Sequence, residues 1–323
     1  MKIIKNWSIS TASDNIFAKV ELKNFCKHNK VEHYEFYIFV LMELTTNLIK
    51  YANGGNIWLI QYEDKYCLVS VDRGCGIKDL AQAKVKGFTS SNNSLGLGLF
   101  QISQNSYFDV EIYTSIKKEK SGTIVLLKPK EIISNMIFFS KPYMNLDYNG
   151  DYFVQKGRFS IFGDASGHGL KAQKSATFIK QYFMDEFISC LNYDLSYDNL
   201  HNILKKNNLR SSVMCLIEFN KNVLQLCGVG NLNLFIQNGK KYNYNTFKNG
   251  IIGEVFSSGE LKQIDLHKNQ NIILTTDGYA PRQTQEFLSD LHSDLSPMMV
   301  AICLTHFISN DMDDSSVLII NKG

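Results

Sequence analysis

The chain has 323 residues, 44% hydrophobic and 20% charged, with 34 basic against 31 acidic side chains and a net charge of +3. That length suggests two domains of ordinary globular composition. The balanced charge, with no long basic run, gives no reason to expect a nucleic-acid partner. Apolar stretches such as Ile38–Met42 are broken by charge too soon for a membrane span, and the opening MKIIKNWSISTASDN turns polar too early for a secretory signal. The cysteines at 26, 67, 75, 190, 215, 227 and 303 are odd in number and contain no CxxC pair. This argues for reduced thiols and a cytoplasmic location.

In chain order, helical spacing of apolar residues predicts a helix near 12–27 and a longer one from Val31 to Ala52, stopped by Asn53-Gly54-Gly55. Strands are expected at NIWLIQY (56–62) and YCLVSV (66–71). A Ser/Asn/Gly-rich loop over about 86–96 leads into a short helix near Leu97, followed by strands FDVEIYTSI and SGTIVLLK. This is an α+β pattern of helices before and between antiparallel strands. Pro129, Lys130 and Glu131 mark the expected boundary, giving domains over 1–130 and 131–323.

The second half opens with strand-like segments at 136–146 and 151–163, then helices at about 170–190 and 196–206. Strands SSVMCLIEF, VLQLCGVG, LNLFIQN and NIILTTD follow. Helices near 283–293 and 296–308 come next, with Pro297 in the first turn of the latter, and SSVLII closes the chain.

Three elements of the first half fit a nucleotide site. Glu43 and Asn47 are four apart, so they share a face of the long helix. Asp72-Arg-Gly-Cys-Gly76 follows a strand directly, and Gly96-Leu-Gly98 stands at a helix start. A carboxylate at Asp72 can accept the amino group of adenine, and Gly74 and Gly76 let the backbone pass close to the base. Gly96 and Gly98 would offer backbone N–H groups to phosphates. Asn47 offers an oxygen to Mg²⁺, and Glu43 can take a proton from an attacking hydroxyl or water. Each signal alone is common; their order and placement make the set specific.

ELTTNLIKYA, VDRGCGI and SLGLGL are similar to the N box and the two glycine boxes of the GHKL ATPase superfamily. Within it, residues 10–128 resemble the anti-sigma-factor serine kinases and RsbT-type switch kinases. The resemblance implies an α/β sandwich of the Bergerat type that binds ATP and Mg²⁺. It further implies Glu43 as base, Asn47 as Mg²⁺ ligand, Asp72 as the adenine carboxylate and Thr123, after Gly122, as a further adenine contact. Sensor histidine kinases share such a site, but no phosphoacceptor hairpin fits before residue 31, and His28 and His33 read as surface residues.

In the second half, Asp151, Asp164, Asp277, Asp313 and Asp314 stand at the ends of expected strands, most of them beside Gly or another Asp. Carboxylates so placed suit hard divalent ions, and a pair of such ions can activate water for attack on a phosphoryl group. The segments NGDYF, GDASGHGLKA, CGVGN, TTDG and DDSS resemble, in order, the SpoIIE- and RsbX-like branch of the metal-dependent type 2C protein phosphatases, over residues 135–321. The resemblance implies an α-β-β-α sandwich with two Mn²⁺ or Mg²⁺ ions. Asp151 and Asp164 would be bridging ligands, the Ala165 carbonyl a further ligand, and Asp277 and Asp313 the remaining acidic ligands. Asp314 stands where relatives carry Asp or Asn, and His168 belongs to the turn. Some relatives carry a phosphate-binding arginine before the first Asp; here SKPYMNLDYNGD has Lys141 and no arginine.

Together the halves imply a cytoplasmic, bifunctional Ser/Thr kinase and phosphatase. Its partner would be a STAS-domain phosphoprotein of a partner-switching pathway, with a sigma factor or other regulator downstream and neither nucleic acid nor membrane involved. Two alternatives stand beside it. In one, the first half senses ATP and gates the phosphatase. In the other, the chain is a non-catalytic protein-binding switch, for which the intact Asp set has no use.

Overall fold

A computed structural model describes residues 1–83, 98–132, 135–145, 147–186, 193–256, 258–310 and 312–322. The chain divides into two compact units, Met1–Ile133 and Ser134–Gly323. Pro129 is the last residue of a strand of the first unit, and the polar Lys130 and Glu131 that follow it form a turn.

The first unit is built from β1 (Lys2–Ile9), α1 (Ala12–His28), α2 (Tyr34–Tyr51), β2 (Gly55–Tyr62), β3 (Lys65–Val71), the short α3 (Leu80–Ala83) and α4 (Gly98–Ser103), β4 (Phe108–Ser115) and β5 (Gly122–Pro129). Its strands lie in the order β1-β2-β3-β5-β4, each antiparallel to its neighbour. α1 starts where Thr11 and Asp14 form a reciprocal capping box: the Thr11 hydroxyl accepts from the Asp14 N–H at 3.3 Å, and the Asp14 carboxylate accepts from the Thr11 N–H at 2.8 Å. α1 and α2 cover one face of the sheet. Leu22, Val40, Leu41, Leu44 and Leu48 pack on Ile57, Leu59, Leu68 and Leu127, so the helical spacing of apolar residues on α2 is its burial pattern. The expected loop over 86–96 and Gly96 lie outside the described residues, and Gly98 opens α4.

The second unit contains β6 (Met136–Lys141), β7 (Asp151–Lys156), β8 (Phe159–Ala165), α5 (Leu170–Asp185), α6 (Tyr193–Lys206), β9 (Ser212–Asn220), β10 (Val223–Val229) and β11 (Asn233–Asn238). These are followed by β12 (Lys241–Thr246), β13 (Glu260–Asp265), β14 (Asn271–Thr275), α7 (Pro281–Asp290), α8 (Pro297–Phe307) and β15 (Ser315–Asn321). One sheet carries β12-β11-β14-β15-β6 and the other β13-β10-β9-β8-β7. Their facing side chains form one core, in which Phe162, Cys215, Ile217 and Leu226 of one sheet meet Leu234, Ile272, Leu274 and Leu318 of the other. A second core joins α5 and α6 to the outer face of the first of these sets, through Ile161, Ala172, Ala176, Ile179, Tyr197 and Leu216. α8 lies against β15 and β6. The layers are therefore α-β-β-α, as expected from the sequence. The single strand expected over 151–163 is a hairpin, because Gly157 turns the chain with φ +60°. The strand expected over 136–146 stops at Lys141, before the backbone of Met144 turns left-handed at φ 47°.

Tyr197 is fully buried. Its hydroxyl donates to the Cys227 carbonyl at 2.5 Å and accepts from the Leu216 N–H at 3.1 Å. Tyr197→Phe strands both backbone groups in the core, so the second unit should lose about 1–3 kcal/mol in urea unfolding followed by circular dichroism. A loss below about 0.5 kcal/mol, the size of an ordinary surface change, would contradict that bonding scheme.

Candidate functional site

The β7–β8 hairpin places Asp151 directly opposite Asp164. Directly opposed residues on an antiparallel pair have their Cβ atoms about 4.5–5.5 Å apart, so two like charges are forced together. The approach to β7 is set by Asn149, whose Oδ1 accepts from the Asp151 N–H at 2.8 Å in an Asx turn. Gly163 has no room for a side chain: a Cβ there would lie 2.6 Å from the Tyr152 ring and hydroxyl. One Asp151 oxygen, Oδ2, accepts from the Thr276 hydroxyl at 3.0 Å. Thr276 Oγ1 in turn accepts from the Ser316 N–H at 3.0 Å, which ties the hairpin to the ends of β14 and β15. The other oxygen, Oδ1, is buried and accepts no hydrogen bond among the described residues.

Asp277 follows β14, and its Oδ2 accepts from the Asn231 side-chain amide at 3.0 Å. Asp313 precedes β15, and its Oδ1 accepts from the Asp314 N–H at 2.8 Å. Burial and the charge of Asp164 hold Asp151 well above the usual carboxylate range. Asp164 is pushed up to about 8 by burial, then by Asp277, Asp313 and Asp314. Burial and then Asp313 raise Asp277. Asp164 thus feels the charges of Asp277, Asp313 and Asp314, and Asp151 that of Asp164, although among the described residues no three His, Cys, Asp or Glu close on one cation position. The orphaned, buried Asp151 oxygen and the mutual repulsion fit a divalent cation, and the gathered electrostatics outweigh the open spacing because such ions complete their shells with water.

Asp314 differs from the others. Its Oδ1 accepts from the Tyr143 N–H and its Oδ2 from the Gly150 N–H, both at 2.7 Å. It anchors the loop before Asp151. His168 stacks on Tyr143, with ring centroids 4.3 Å apart. Nothing in the sequence alone gives Thr276, Asn231 or Ser316 a role. The polar pairs Thr275-Thr276 and Ser315-Ser316 at strand ends were the signal available for two of them.

In the first unit, Asp72 is buried at the end of β3. Its Oδ1 accepts from the Gly74 N–H at 2.8 Å and the Thr123 N–H at 3.0 Å. Burial raises the Asp72 carboxyl, and those two donors oppose the rise. The Asp72 N–H donates to the Thr123 carbonyl at 3.0 Å, and the Thr123 and Thr114 hydroxyls lie 3.3 Å apart. Gly76 has φ +72°, and a Cβ there would sit 2.3 Å from the Ser115 carbonyl. So Asp72, Gly74, Gly76 and Thr123 share one corner, while Glu43 and Asn47 are half-buried and one turn apart on α2.

No family model matches the chain, and no curated protein matches it in sequence. The solved structures it resembles include PP2C phosphatase domains. One holds the phosphatase domain and a fragment of the regulatory domain of SpoIIE from Bacillus subtilis (11% identity, TM-score 0.48, 96% of this chain and 94% of that chain). Another is the SiaA PP2C domain of Pseudomonas aeruginosa (15%, TM-score 0.48, 58% of this chain and 86% of that chain). A third is RsbX in complex with magnesium (16%, TM-score 0.47, 57% and 92%). At these values the likeness is one of backbone path, and the chemistry rests on this chain's own residues. Among the described residues no helix is long and apolar enough to cross a membrane, and Cys26, Cys67, Cys75, Cys215, Cys227 and Cys303 are not in disulfides. Cys190 lies outside the described residues.

The raised carboxylates give a pH prediction. Asp164 binds its proton more tightly folded (about 8) than at its ordinary value of 3.8. Its contribution to stability is therefore fully present below about pH 4 and is lost as the pH rises toward 8. Without metal, the second unit should melt at progressively lower temperature over that window. Mn²⁺ should raise the melting temperature far more at pH 8 than at pH 5, and Asp164→Asn should flatten the metal-free profile. A metal-free melting temperature that is level or rising between pH 5 and 8 would contradict the crowding of these carboxylates.

Proposed function

We propose that the second unit is a metal-dependent Ser/Thr protein phosphatase and the first an ATP-dependent Ser/Thr kinase domain, acting as a cytoplasmic partner-switching regulator on a STAS-domain phosphoprotein. The observation that carries the phosphatase reading is Asp151 held opposite Asp164, with one buried oxygen left without a donor. Asp151 and Asp164 would hold Mg²⁺ or Mn²⁺ between them, with the Ala165 carbonyl, Asp277 and Asp313 as further oxygen donors. When bound, a pair of such ions supplies a water acidic enough to attack phosphorus at neutral pH and charge to neutralise the phosphoryl oxygens. The chain's own residues orient that chemistry. Thr276 fixes the rotamer of Asp151, Asn231 that of Asp277, and Asp314 the loop before Asp151. Outer-shell bonds of this kind set the direction of ligands.

For the first unit, the support is the Asp72 corner. Two backbone donors hold Oδ1, orienting the carboxylate toward an exocyclic amino group such as that of adenine. Asn47 would carry Mg²⁺ against the phosphates and Glu43 would take the proton of the partner's hydroxyl. Gly98, with Gly96 outside the described residues, would line the phosphate side. One chain carrying both activities keeps each at high effective concentration near a shared partner.

Asp277→Asn keeps the shape and the Asn231 contact but removes ligand charge. Mn²⁺-dependent turnover of a phosphoserine protein should collapse while circular dichroism stays unchanged. Wild-type turnover in both Asp277→Asn and Asp164→Asn would remove the metal assignment.

Asp72→Asn presents a donor where adenine needs an acceptor, at a cost of about 1–3 kcal/mol. Calorimetry should show ATP affinity falling at least ~10-fold, in keeping with that cost. In the phosphatase-silent Asp277→Asn chain, Glu43→Ala should leave ATP binding intact and slow phosphotransfer roughly 10²–10⁴-fold. If that chain phosphorylates no STAS-domain protein, yet ATP alters phosphatase turnover in the wild type, the first unit is a nucleotide sensor.

A further inference from the structure

The end of β8 carries two of the proposed metal donors, Asp164 and the Ala165 carbonyl, and both peptides flanking Ala165 are held by hydrogen bonds. The Asp164 carbonyl accepts from the Ser212 hydroxyl at 2.6 Å, while the Ala165 N–H donates to the Gly150 carbonyl at 3.2 Å. The next peptide contains the Ala165 carbonyl and the Ser166 N–H, and that N–H donates to the Ser211 carbonyl at 2.8 Å. A trans peptide is planar, with its carbonyl and N–H pointing opposite ways. The Ser211 bond therefore sets the direction of the Ala165 carbonyl.

Ser211 is itself braced. It is 5% exposed, and its hydroxyl donates to Glu254 Oε1 at 2.6 Å. With its hydrogen directed at the carboxylate, Ser211 Oγ accepts from the Ser166 hydroxyl at 2.8 Å. Glu254 lies in the turn between β12 and β13. There Ile252 and Ser212 exchange backbone bonds of 2.9 and 2.8 Å, and the neighbouring Val255 is 77% exposed. Among the described residues the Glu254 carboxylate has no partner besides Ser211. A bond to a charged acceptor is roughly twice as strong as a neutral one, so a surface turn reaches the donor turn through Glu254, Ser211 and Ser166.

We propose that Glu254 is a positioning residue of the phosphatase site, fixing the Ala165 carbonyl through Ser211 and Ser166. This rests on the phosphatase reading for its catalytic meaning, but the relay can be measured without it. The full chain, as wild type, Glu254→Ala, Glu254→Gln and Ser211→Ala, would be followed by hydrogen exchange of a peptide covering 163–169, by Mn²⁺ calorimetry, and by Mn²⁺-dependent hydrolysis of p-nitrophenyl phosphate.

Glu254→Ala and Ser211→Ala should exchange the Ser166 amide at least ~10-fold faster and bind Mn²⁺ roughly 10-fold more weakly, the usual scale for losing an outer-shell partner. Glu254→Gln keeps an acceptor oxygen and should restore most of both. Unchanged exchange and Mn²⁺ affinity in Glu254→Ala overturn the proposal, as does a Gln variant as impaired as the Ala variant. Faster exchange rescued by Gln, in a chain whose wild type hydrolyses no phosphoester with Mn²⁺, supports the relay and removes the phosphatase reading instead.

Discussion

Two carboxylates opposed across a β-hairpin are a cost that the second unit relieves only in part with its own side chains. Asp151 and Asp164 are partners in register, and burial removes the water that would otherwise screen them. The donors nearby are spent sparingly: Thr276 serves one oxygen of Asp151, and the other has none. The Tyr143 and Gly150 N–H groups go instead to Asp314, which is thereby made a brace for the loop. Repulsion without a bound cation and the raised carboxyls are two expressions of the same geometry. Much of the local sequence follows from it, from Asn149 before the strand to the missing side chain at Gly163.

Adjacent residues of one type have different tasks here. Asp313 faces the charge of Asp277 and Asp164, while both oxygens of Asp314 are occupied by backbone donors. The DDSS segment shows two carboxylates before a strand but not which one points where. That choice depends on a loop more than 160 residues earlier in the chain.

The parts of the fold visible in the sequence are those where burial leaves a period. α2 shows its apolar face, and β9, β10, β14 and β15 show nearly continuous buried runs. β1, β12 and β13 leave no such signal, because charged and amide groups break up the apolar residues of KIIKNWSI, KYNYNT and ELKQID. In the second unit, β12 and β13 lie at sheet edges, where such residues discourage further pairing. Within the candidate sites, acidic residues beside glycine were visible because turns limit composition. The serines and threonines that orient them were not, because Ser211, Ser316 and Thr276 meet their partners only after strands distant in sequence are paired.

The two units also bury carboxylates under contrasting conditions, and the contrast bears on what each can bind. Asp72 has two neutral backbone donors on one oxygen, and no other carboxylate contributes to the rise in its pKa. Such a group is already partly compensated. A neutral ligand that offers one N–H adds to a network that already carries two donors. At Asp151 and Asp164 the balance is reversed: donors are scarce, like charges accumulate, and a neutral hydrogen-bonding ligand would leave most of the repulsion in place. A buried aspartate alone therefore does not indicate the charge of its ligand. The compensation already present in the fold does, and by that measure the two sites differ: the Asp72 carboxylate meets backbone donors, while Asp151 and Asp164 meet each other's charge.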